Sequence, residues 1–148
     1  MKNKTVVFIG HNDCTGLETG KLKSEIIKSI ENGAINFISG GMGEYDRICA
    51  RLVYEIKIEY PNIKNLLVIP YLNFNIFEKR YFDEIIFPEE LEYVPKKASI
   101  IKRNQYMVDK SSYAICYVNY SYGGAAKTFQ YANKKNVEII NLGKLNIK

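Results

Sequence analysis

The sequence predicts a three-layer α/β domain in which a mainly parallel sheet of about five to six strands carries helices on both faces. Two observations lead to this prediction. Short apolar runs alternate with stretches in which apolar residues recur at helical spacing. The runs are also hydrophobic at consecutive positions, which is typical of strands buried on both faces. The length of 148 residues suits a single domain, 1–148, with its own core.

Strands and helices are expected to alternate along the whole chain. Apolar residues four positions apart at Leu22, Ile26 and Ile30 indicate the first helix, and the later helices show the same spacing. Residues 71–80 fit neither pattern. The predicted strands are residues 5–9, 35–38, 66–69, 83–87, 113–118 and 137–140, and the predicted helices are residues 22–30, 48–56, 96–110 and 125–135.

This alternation predicts a Rossmann-like arrangement. Parallel strands joined by helices make right-handed crossovers, so the strands all leave the sheet at one edge. Ligands of such folds bind in the crevice at that carboxyl edge. The strand exits, and therefore the candidate site segments, begin at Gly10, Gly40, Pro70, Pro88 and Asn119.

The charge of the chain is unevenly distributed. Its net charge is +5. Residues 93–148 contain ten Lys/Arg and two Asp/Glu, whereas residues 1–92 contain eleven Lys/Arg and fourteen Asp/Glu. A basic segment of this kind attracts anionic partners. A solvated lysine-rich surface explains the same pattern equally well. With 47% hydrophobic and 25% charged residues, the chain has the composition of a folded globular protein and not of a disordered one.

Several classes of protein are excluded by the sequence. The three cysteines are Cys14, Cys49 and Cys116, the only histidine is His11, and no C-x-x-C occurs. We therefore expect no metal site and no disulfide framework, but reduced thiols in a cytoplasmic protein. The apolar run at residues 6–9 is too short for a signal peptide, and no stretch approaches a membrane span.

The first strand exit is small, polar and punctuated by glycine. Gly10 would allow the backbone to approach a ligand closely. His11 would either hydrogen-bond a ligand or act as an acid or base. Alternatively, backbone groups would satisfy its hydrogen bonds, and both interpretations stay open. Cys14 is interpreted as a plain thiol.

The second exit carries three glycines that lead into a helix. Gly40, Gly41 and Gly43 form a turn compatible with phosphate, although they do not match G-x-G-x-x-G. Glu44 and Asp46 would favour the helix N-terminus electrostatically, or bind ribose hydroxyls. For Asp46 we prefer the ribose interpretation.

The exit of the fifth strand is the most informative one. Gly123 and Gly124 precede a helix whose first N–H groups would be unpaired and would lie at its positive dipole end. Lys127 would add a cation and Thr128 a hydroxyl. The segment therefore predicts an anion cradle, with an ordinary glycine turn before a capped helix as the alternative.

The helix at residues 96–110 carries polar groups on its apolar stripe. Asn104 lies between Ile100 and Met107 on one face, and Arg103 is next to it. A polar group in this position needs a partner, either the backbone of a strand end or a ligand in the crevice. The guanidinium fork of Arg103 suits phosphate.

Aromatic residues and charges alternate loosely over residues 71–82. Such a segment would stack bases if it were an exposed surface. We prefer the interpretation that it is a loop whose aromatic side chains pack over the core.

Taken in order, these motifs resemble the SLOG superfamily, the Rossmann-like group that includes YpsA-like proteins, LOG phosphoribohydrolases and DprA (Smf) DNA-binding proteins. The chain is most similar to the small bacterial YpsA-like branch. The resemblance covers nearly the whole chain, and the ordered set is more specific than any one motif. The matching segments are FIGH at 8–11, SGGMG at 39–43 with Asp46, Pro70-Tyr71, KRNQYMVD at 102–109, and GGAAKT at 123–128 with Tyr131-Ala132.

The resemblance implies a nucleotide-type ligand at residues 40–43, 103–104 and 123–128, no further required cofactor, and self-association as a homodimer. It leaves catalysis open. LOG enzymes use an arginine and a glutamate that follows a P-G-G-x-G-T turn, whereas here Tyr122 replaces the proline and Phe129-Gln130 follow Thr128. Without that carboxylate, an oxocarbenium-like transition state is hard to stabilise.

Three functions are therefore expected, in order of preference. The first is binding or sensing of a nucleotide or nucleotide derivative, a phosphate-bearing small molecule, at the carboxyl edge. The second is hydrolysis of a nucleoside 5'-monophosphate, for which Asp46, Glu44 or Asp109 would replace the missing glutamate. The third is single-stranded nucleic-acid binding, which the basic C-terminal third favours and the acidic remainder disfavours.

Overall fold

The computed structural model describes residues 4–146, so the ends of the predicted domain, residues 1–3 and 147–148, lie outside the described part. Six parallel strands form one sheet in the order β4-β3-β2-β1-β5-β6. The predicted parallel sheet is confirmed. The strands are β1 (Thr5–Gly10), β2 (Asn36–Ser39), β3 (Lys64–Val68), β4 (Glu84–Ile86), β5 (Tyr113–Tyr117) and β6 (Glu138–Asn141).

Four helices cover the sheet, two on each face, which confirms the three layers. The first two begin earlier than the apolar spacing indicates. Helix α1 opens with the exposed residues 19–21, and α2 begins five residues before Ile48 with a first turn that contains the buried Tyr45. Two short 3₁₀ helices at Lys79–Tyr81 and Glu89–Leu91 flank β4. The helices are α1 (Thr19–Glu31), α2 (Gly43–Ile56), α3 (Lys96–Asp109) and α4 (Gly124–Lys134).

The core is divided by the sheet into two apolar clusters. Along β1 the side chains alternate between them, since successive residues of a strand point to opposite faces. Val6 and Phe8 pack with α1 and α2, whereas Val7 and Ile9 pack with α3 and α4. All four side chains are at most 4% exposed. The consecutive hydrophobic residues of the strand are therefore explained by burial on both faces.

The chain reverses its direction across the sheet at β1. This strand pairs with β2 on one side and with β5 on the other, Val7 lying opposite Ile38 and Ala114. The connections up to β4 extend the sheet in one direction, and α3 then returns the chain to β5. Such a switch in strand order opens a crevice at the carboxyl ends of the two central strands.

Residues 71–82 form an irregular connection whose aromatic rings pack against one another. The ring centroids of Phe77 lie 6.2 Å from Tyr81 and 6.0 Å from Phe82, and Tyr81 also contacts Tyr54 of α2 at 5.0 Å. These contacts agree with a loop that packs its own aromatic side chains. Over residues 4–146, no helix has the length and apolar character needed to cross a membrane.

Candidate functional site

A cavity of about 240 Å³ lies at the carboxyl edge of the sheet, where the strand order reverses. The end of β1 forms its floor, the first turns of α2 and α4 form two sides, and α3 forms the third. We call it the carboxyl-edge cavity. Half of the site residues predicted from the sequence line it, namely Gly10, Asp46, Arg103, Asn104, Gly124 and Thr128.

A larger cavity of about 460 Å³ lies at the opposite, amino edge of the sheet, where Lys4, Asn32 and Glu138 are among its lining residues. None of the predicted site residues lines it. Asn32 ends α1, so this edge receives the negative end of that helix dipole, which disfavours anions. Size alone therefore does not make the amino edge the better candidate.

Arg103 lies in the wall of the carboxyl-edge cavity and is buried, with only 1% of its surface exposed. Its Nη1 donates to the carbonyl oxygens of Gly40 at 2.8 Å and Val68 at 2.7 Å, at the ends of β2 and β3. Its Nε donates to Oδ1 of Asn104 at 2.8 Å. Most of the guanidinium fork is thus used within the protein.

The remaining nitrogen, Nη2, lies 3.4 Å from Sδ of Met42 at the cavity wall. Burial lowers the pKa of Arg103 to about 10, so the side chain stays charged at neutral pH. From the sequence, this guanidinium is predicted to pair with a ligand phosphate. In the structure the guanidinium lies in the cavity wall, is almost fully buried, and joins the ends of two strands to α3 through its hydrogen bonds.

Asp46 lies in the first turn of α2 and lines the same cavity. Its Oδ2 accepts a 2.9 Å hydrogen bond from the backbone N–H of Met42, so the side chain closes the start of its own helix. Burial raises the pKa of Asp46 to about 6, while the Met42 N–H and the charge of Arg103 oppose that rise.

The glycine turn before α2 serves the packing of the protein. Gly41 and Gly43 have φ angles of +65° and +86°, which favour glycine. A side chain at Gly41 would collide with Leu67, since a Cβ there would lie 2.7 Å from its Cδ1. The N–H of Glu44 donates to Oδ1 of Asn12 at 2.9 Å, so this helix N-terminus already has protein partners.

Gly10 is also required by packing. A Cβ at this position would collide with the ring of Tyr45, which is fully buried and whose hydroxyl donates to the Ile115 carbonyl at 2.8 Å. The close approach that the sequence predicted at Gly10 therefore exists, and in the structure the approaching group is a protein ring.

His11 is buried, with 6% of its surface exposed, and lies outside the residues that line the carboxyl-edge cavity. Its Nε2 accepts a 3.0 Å hydrogen bond from the backbone N–H of Asn119. Desolvation lowers the pKa of the imidazole, against the raising effect of Asp13, and the neutral ring is the form that can accept this bond. The interpretation of His11 as a residue satisfied by backbone thus describes the geometry.

The start of α4 differs from that of α2. Gly123 precedes the helix with φ 91° and ψ 177°, a conformation essentially restricted to glycine, and no side chain among the described residues caps it. Nothing lies within 4 Å of a Cβ built at Gly123 or Gly124. The uncapped start of α4 therefore lies at the cavity, and Gly124 is one of the residues that line it.

The two polar side chains of α4 take different positions. Thr128 is 8% exposed, lines the cavity and donates from Oγ1 to the Gly124 carbonyl oxygen at 3.1 Å. Lys127 is exposed and is not among the lining residues, so the structure does not bring its ammonium group into the cavity. Its charge contributes only to the outer surface of α4.

An aromatic stack that was not predicted from the sequence lies at the exit of β5. The ring of His11 stacks on Tyr120 with centroids 3.9 Å apart, and Tyr120 stacks on Tyr122 with centroids 4.2 Å apart. The available signal was the pair of tyrosines two positions apart, Tyr120 and Tyr122, at the exit of the fifth strand.

The three cysteines are free thiols, and none belongs to a group of metal-ligand side chains in the described residues. Residues 4–146 contain no group of three or more His, Cys, Asp or Glu side chains arranged to hold a metal ion. Cys49 and Cys116 are buried free thiols, and Cys14 is half-buried. Burial raises the pKa of Cys14 to about 11, so this residue is protonated at neutral pH and is a weak nucleophile.

Comparison with known proteins gives one family match and one curated relative. The sequence profile described as the YspA SLOG family (YpsA) matches residues 11–143. The "Uncharacterized SPbeta prophage-derived protein YoqJ" of Bacillus subtilis (strain 168) is 28% identical over 141 residues, which cover 77% of this chain and 81% of that protein.

Two solved structures share the fold. DNA processing protein A from Helicobacter pylori, studied for its single-stranded DNA binding mode, has a TM-score of 0.66 and 16% identity over 95% of this chain. DNA processing protein A (DprA) from Streptococcus pneumoniae has the same TM-score and the same identity, and the match covers 94% of this chain. The chain spans 65% and 50% of those two proteins, and at this identity the likeness shows the fold alone.

Proposed function

Because the chain belongs to the YpsA family of SLOG proteins, we propose that it binds a nucleotide or nucleotide derivative in the carboxyl-edge cavity. The observation that carries the proposal is the open start of α4 at this cavity. The first turn of the helix has no side-chain cap, and a Cβ built at Gly124 would meet nothing within 4 Å. Uncapped helix N-termini of this kind bind phosphate groups.

The charges and polar groups around the cavity support the same ligand. Arg103 supplies a buried positive charge that balances Asp46, whose pKa of about 6 leaves it largely ionised at neutral pH, so the pair does not give the cavity a net negative charge. Asp46 and Asn104 offer oxygen and amide groups to sugar hydroxyls at the wall. In this arrangement the ligand phosphate lies at α4 and its sugar lies between α2 and α3.

The test is thermal unfolding of the purified protein against a panel of nucleoside monophosphates, cyclic nucleotides and dinucleotides. A ligand at a hundred times its dissociation constant adds about 2.7 kcal/mol and raises the midpoint by about 5–10 °C. The decisive variant is Gly124→Val, which places a side chain in the space assigned to phosphate without striking a protein atom.

The matched control is Gly20→Val. Gly20 also lies in the first turn of a helix, α1, with nothing within 4 Å of an added Cβ, but it is remote from the cavity. We expect Gly124→Val to abolish the ligand-induced shift and Gly20→Val to keep it. If both variants keep the shift, the ligand binds elsewhere; if no compound shifts the wild type, nucleotide binding is wrong.

Single-stranded nucleic acid is a second candidate, because the lysines of the basic third share one side of the molecule. Seven of them are exposed on α3 and α4 or at their ends, and none forms an ion pair within residues 4–146. They are Lys96, Lys97, Lys102, Lys110, Lys127, Lys134 and Lys135.

Binding of this kind is electrostatic and therefore falls steeply as salt rises. Fluorescence anisotropy with a labelled oligo(dT), at 50 and 200 mM salt, tests it. We expect the combined variant Lys134→Ala and Lys135→Ala to weaken binding and to reduce its salt dependence. The absence of binding at 50 mM salt would eliminate this candidate.

Hydrolysis of a nucleoside monophosphate is a third candidate, favoured by the position of one carboxylate. Of the three acids considered from the sequence, Asp46 lines the cavity, whereas Glu44 and Asp109 are exposed and do not. Asp109 instead accepts a hydrogen bond from the Tyr131 hydroxyl at 2.8 Å. Chromatography of AMP incubated with the protein tests for free adenine, and release that survives in Asp46→Asn would assign the reaction to another group.

A further inference from the structure

Three aromatic rings form a continuous stack at the start of the β5–α4 connection. His11 and Tyr120 are nearly parallel, with 10° between their planes, and Tyr120 and Tyr122 are inclined by 23°. His11 is fixed in this position because its Nε2 accepts the Asn119 N–H. The inner ring of the stack, His11, is therefore held by the backbone. Tyr120 stacks on His11, and Tyr122 stacks on Tyr120.

The exposure of the rings increases along the stack. His11 is 6% exposed, Tyr120 is 36% exposed and Tyr122 is 70% exposed. The inner ring of each pair covers one face of the next, so the exposed surface of Tyr122 includes the face that points away from Tyr120. A large ring held in place by stacking on one face and open on the other can accept one further planar group.

The position of Tyr122 relates this open face to the candidate site. Tyr122 directly precedes Gly123 and Gly124, the residues at the uncapped start of α4. The carboxyl-edge cavity has a volume of about 240 Å³, below the range of about 300–1,000 Å³ usual for pockets that enclose a whole small ligand. A mononucleotide would fit there only in part, with one of its groups outside.

We propose that Tyr122 is a stacking platform for the nucleobase of a mononucleotide whose phosphate and sugar occupy the carboxyl-edge cavity. This inference rests on the proposed function, and it adds the ligand class and the residue that recognises the base. Every nucleobase has a face that stacks on an aromatic ring, and the larger purine ring overlaps more of the tyrosine than a pyrimidine does. The site therefore prefers purine to pyrimidine mononucleotides.

The protein contains no tryptophan, so one can be introduced as a specific reporter. In Tyr122→Trp, AMP is expected to quench the fluorescence of the new indole by stacking on it, and ribose 5-phosphate is expected to leave it unchanged. The matched control is Tyr93→Trp, since Tyr93 is 90% exposed and lies outside the cavity and the stack. Quenching of equal size in both variants would overturn the proposal.

Binding to Tyr122→Ala gives a second measurement. Loss of a base–aromatic stack weakens binding by about 5- to 150-fold. Isothermal titration is expected to show such a loss for AMP, a smaller loss for UMP, and unchanged affinity for ribose 5-phosphate. Tyr122 is mostly exposed, so this variant is expected to fold, which circular dichroism verifies.

The outcomes separate the two proposals. If AMP and ribose 5-phosphate bind wild-type protein with equal affinity, or Tyr122→Ala binds AMP as tightly as wild type, the platform is wrong while the cavity stands. If neither of these compounds nor any nucleotide of the panel binds, the proposed function fails and the platform fails with it. If a ten-residue oligo(dA) binds through Tyr122 and AMP does not, the assignment to a mononucleotide is overturned.

Discussion

Gly40 lies directly against the guanidinium group of Arg103. Its carbonyl oxygen accepts a 2.8 Å hydrogen bond from Nη1, and a Cβ on Gly40 would lie 2.8 Å from the Cζ atom. The same Nη1 bonds the carbonyl of Val68. The absence of a side chain at Gly40 thus allows one buried arginine to bond the ends of two neighbouring strands.

Replacement of Arg103 by methionine is expected to destabilise the fold. The Gly40 and Val68 carbonyl oxygens would be left without their donor in a buried place, at a cost of about 1–3 kcal/mol each. Urea unfolding should show a loss of about 3 kcal/mol. Arg51→Met, at an exposed position of α2, is the control and should change stability little. Unchanged stability in Arg103→Met would contradict the structural role.

Alanine substitution should change stability in opposite directions at Gly40, which precedes α2, and at Gly124, which begins α4. Gly40→Ala forces a methyl group against the Arg103 guanidinium, and overpacking of this kind costs about 1–3 kcal/mol. Gly124→Ala meets no atom within 4 Å and lies in a helix, so stability should rise by about 0.4–1 kcal/mol. Thermal unfolding of the two variants measures the difference, and equal midpoints would show that the packing at Gly40 is less tight than described.

Asp46 is expected to make stability depend on pH between about 4 and 6. Its pKa in the folded protein, about 6, lies above its ordinary value of 3.8, so the unfolded chain releases this proton first as pH rises. Relative to Asp46→Asn, the wild type should lose about 2 kcal/mol between pH 4 and pH 6.5. Urea titrations at several pH values measure this loss. Parallel curves for the two proteins would mean that the Asp46 pKa is not raised.

His11 should titrate below its ordinary pKa of 6.5, because desolvation disfavours the charged ring. The folded state therefore binds this proton less readily than the unfolded state, and the contribution of His11 to stability falls as pH drops below 6.5. As the only histidine, it gives a single Cε1–H signal in proton NMR. The urea-unfolded protein is the reference, and a folded midpoint at or above the reference would refute the expectation.

Periodicity was sufficient to place the strands and helices, because burial on both faces imposes apolar runs and each helix has one apolar face. The start of α1 at Thr19 was missed because residues 19–21 are exposed, and the start of α2 at Gly43 was missed because Glu44 and Asp46 flank the buried Tyr45 and interrupt its apolar signal. The 3₁₀ helix at Lys79–Tyr81 was not predicted either. Its aromatic contacts to α2 depend on tertiary packing, which no local pattern records.

The location of the carboxyl-edge cavity could be predicted from the sequence, but the contacts of each residue that lines it could not. Fold topology alone brings the strand exits to one edge, so Asp46, Asn104 and Thr128 meet there. Whether a glycine faces a ligand or a protein side chain depends on neighbours distant in sequence. Arg103 did carry a usable signal, because it is three residues after Ile100 and four before Met107 and so lies on the inward stripe of α3.

His11 and Asn12 are consecutive residues that hold opposite sides of the crevice. His11 accepts the N–H of Asn119 before α4, and Asn12 accepts the N–H of Glu44 in α2. Because one short segment makes both bonds, a local opening that moves this segment releases both sides at once. The amide protons of Asn119 and Glu44, far apart in the chain, should then show matching protection factors against exchange with solvent, and a bound ligand should raise both by the same factor.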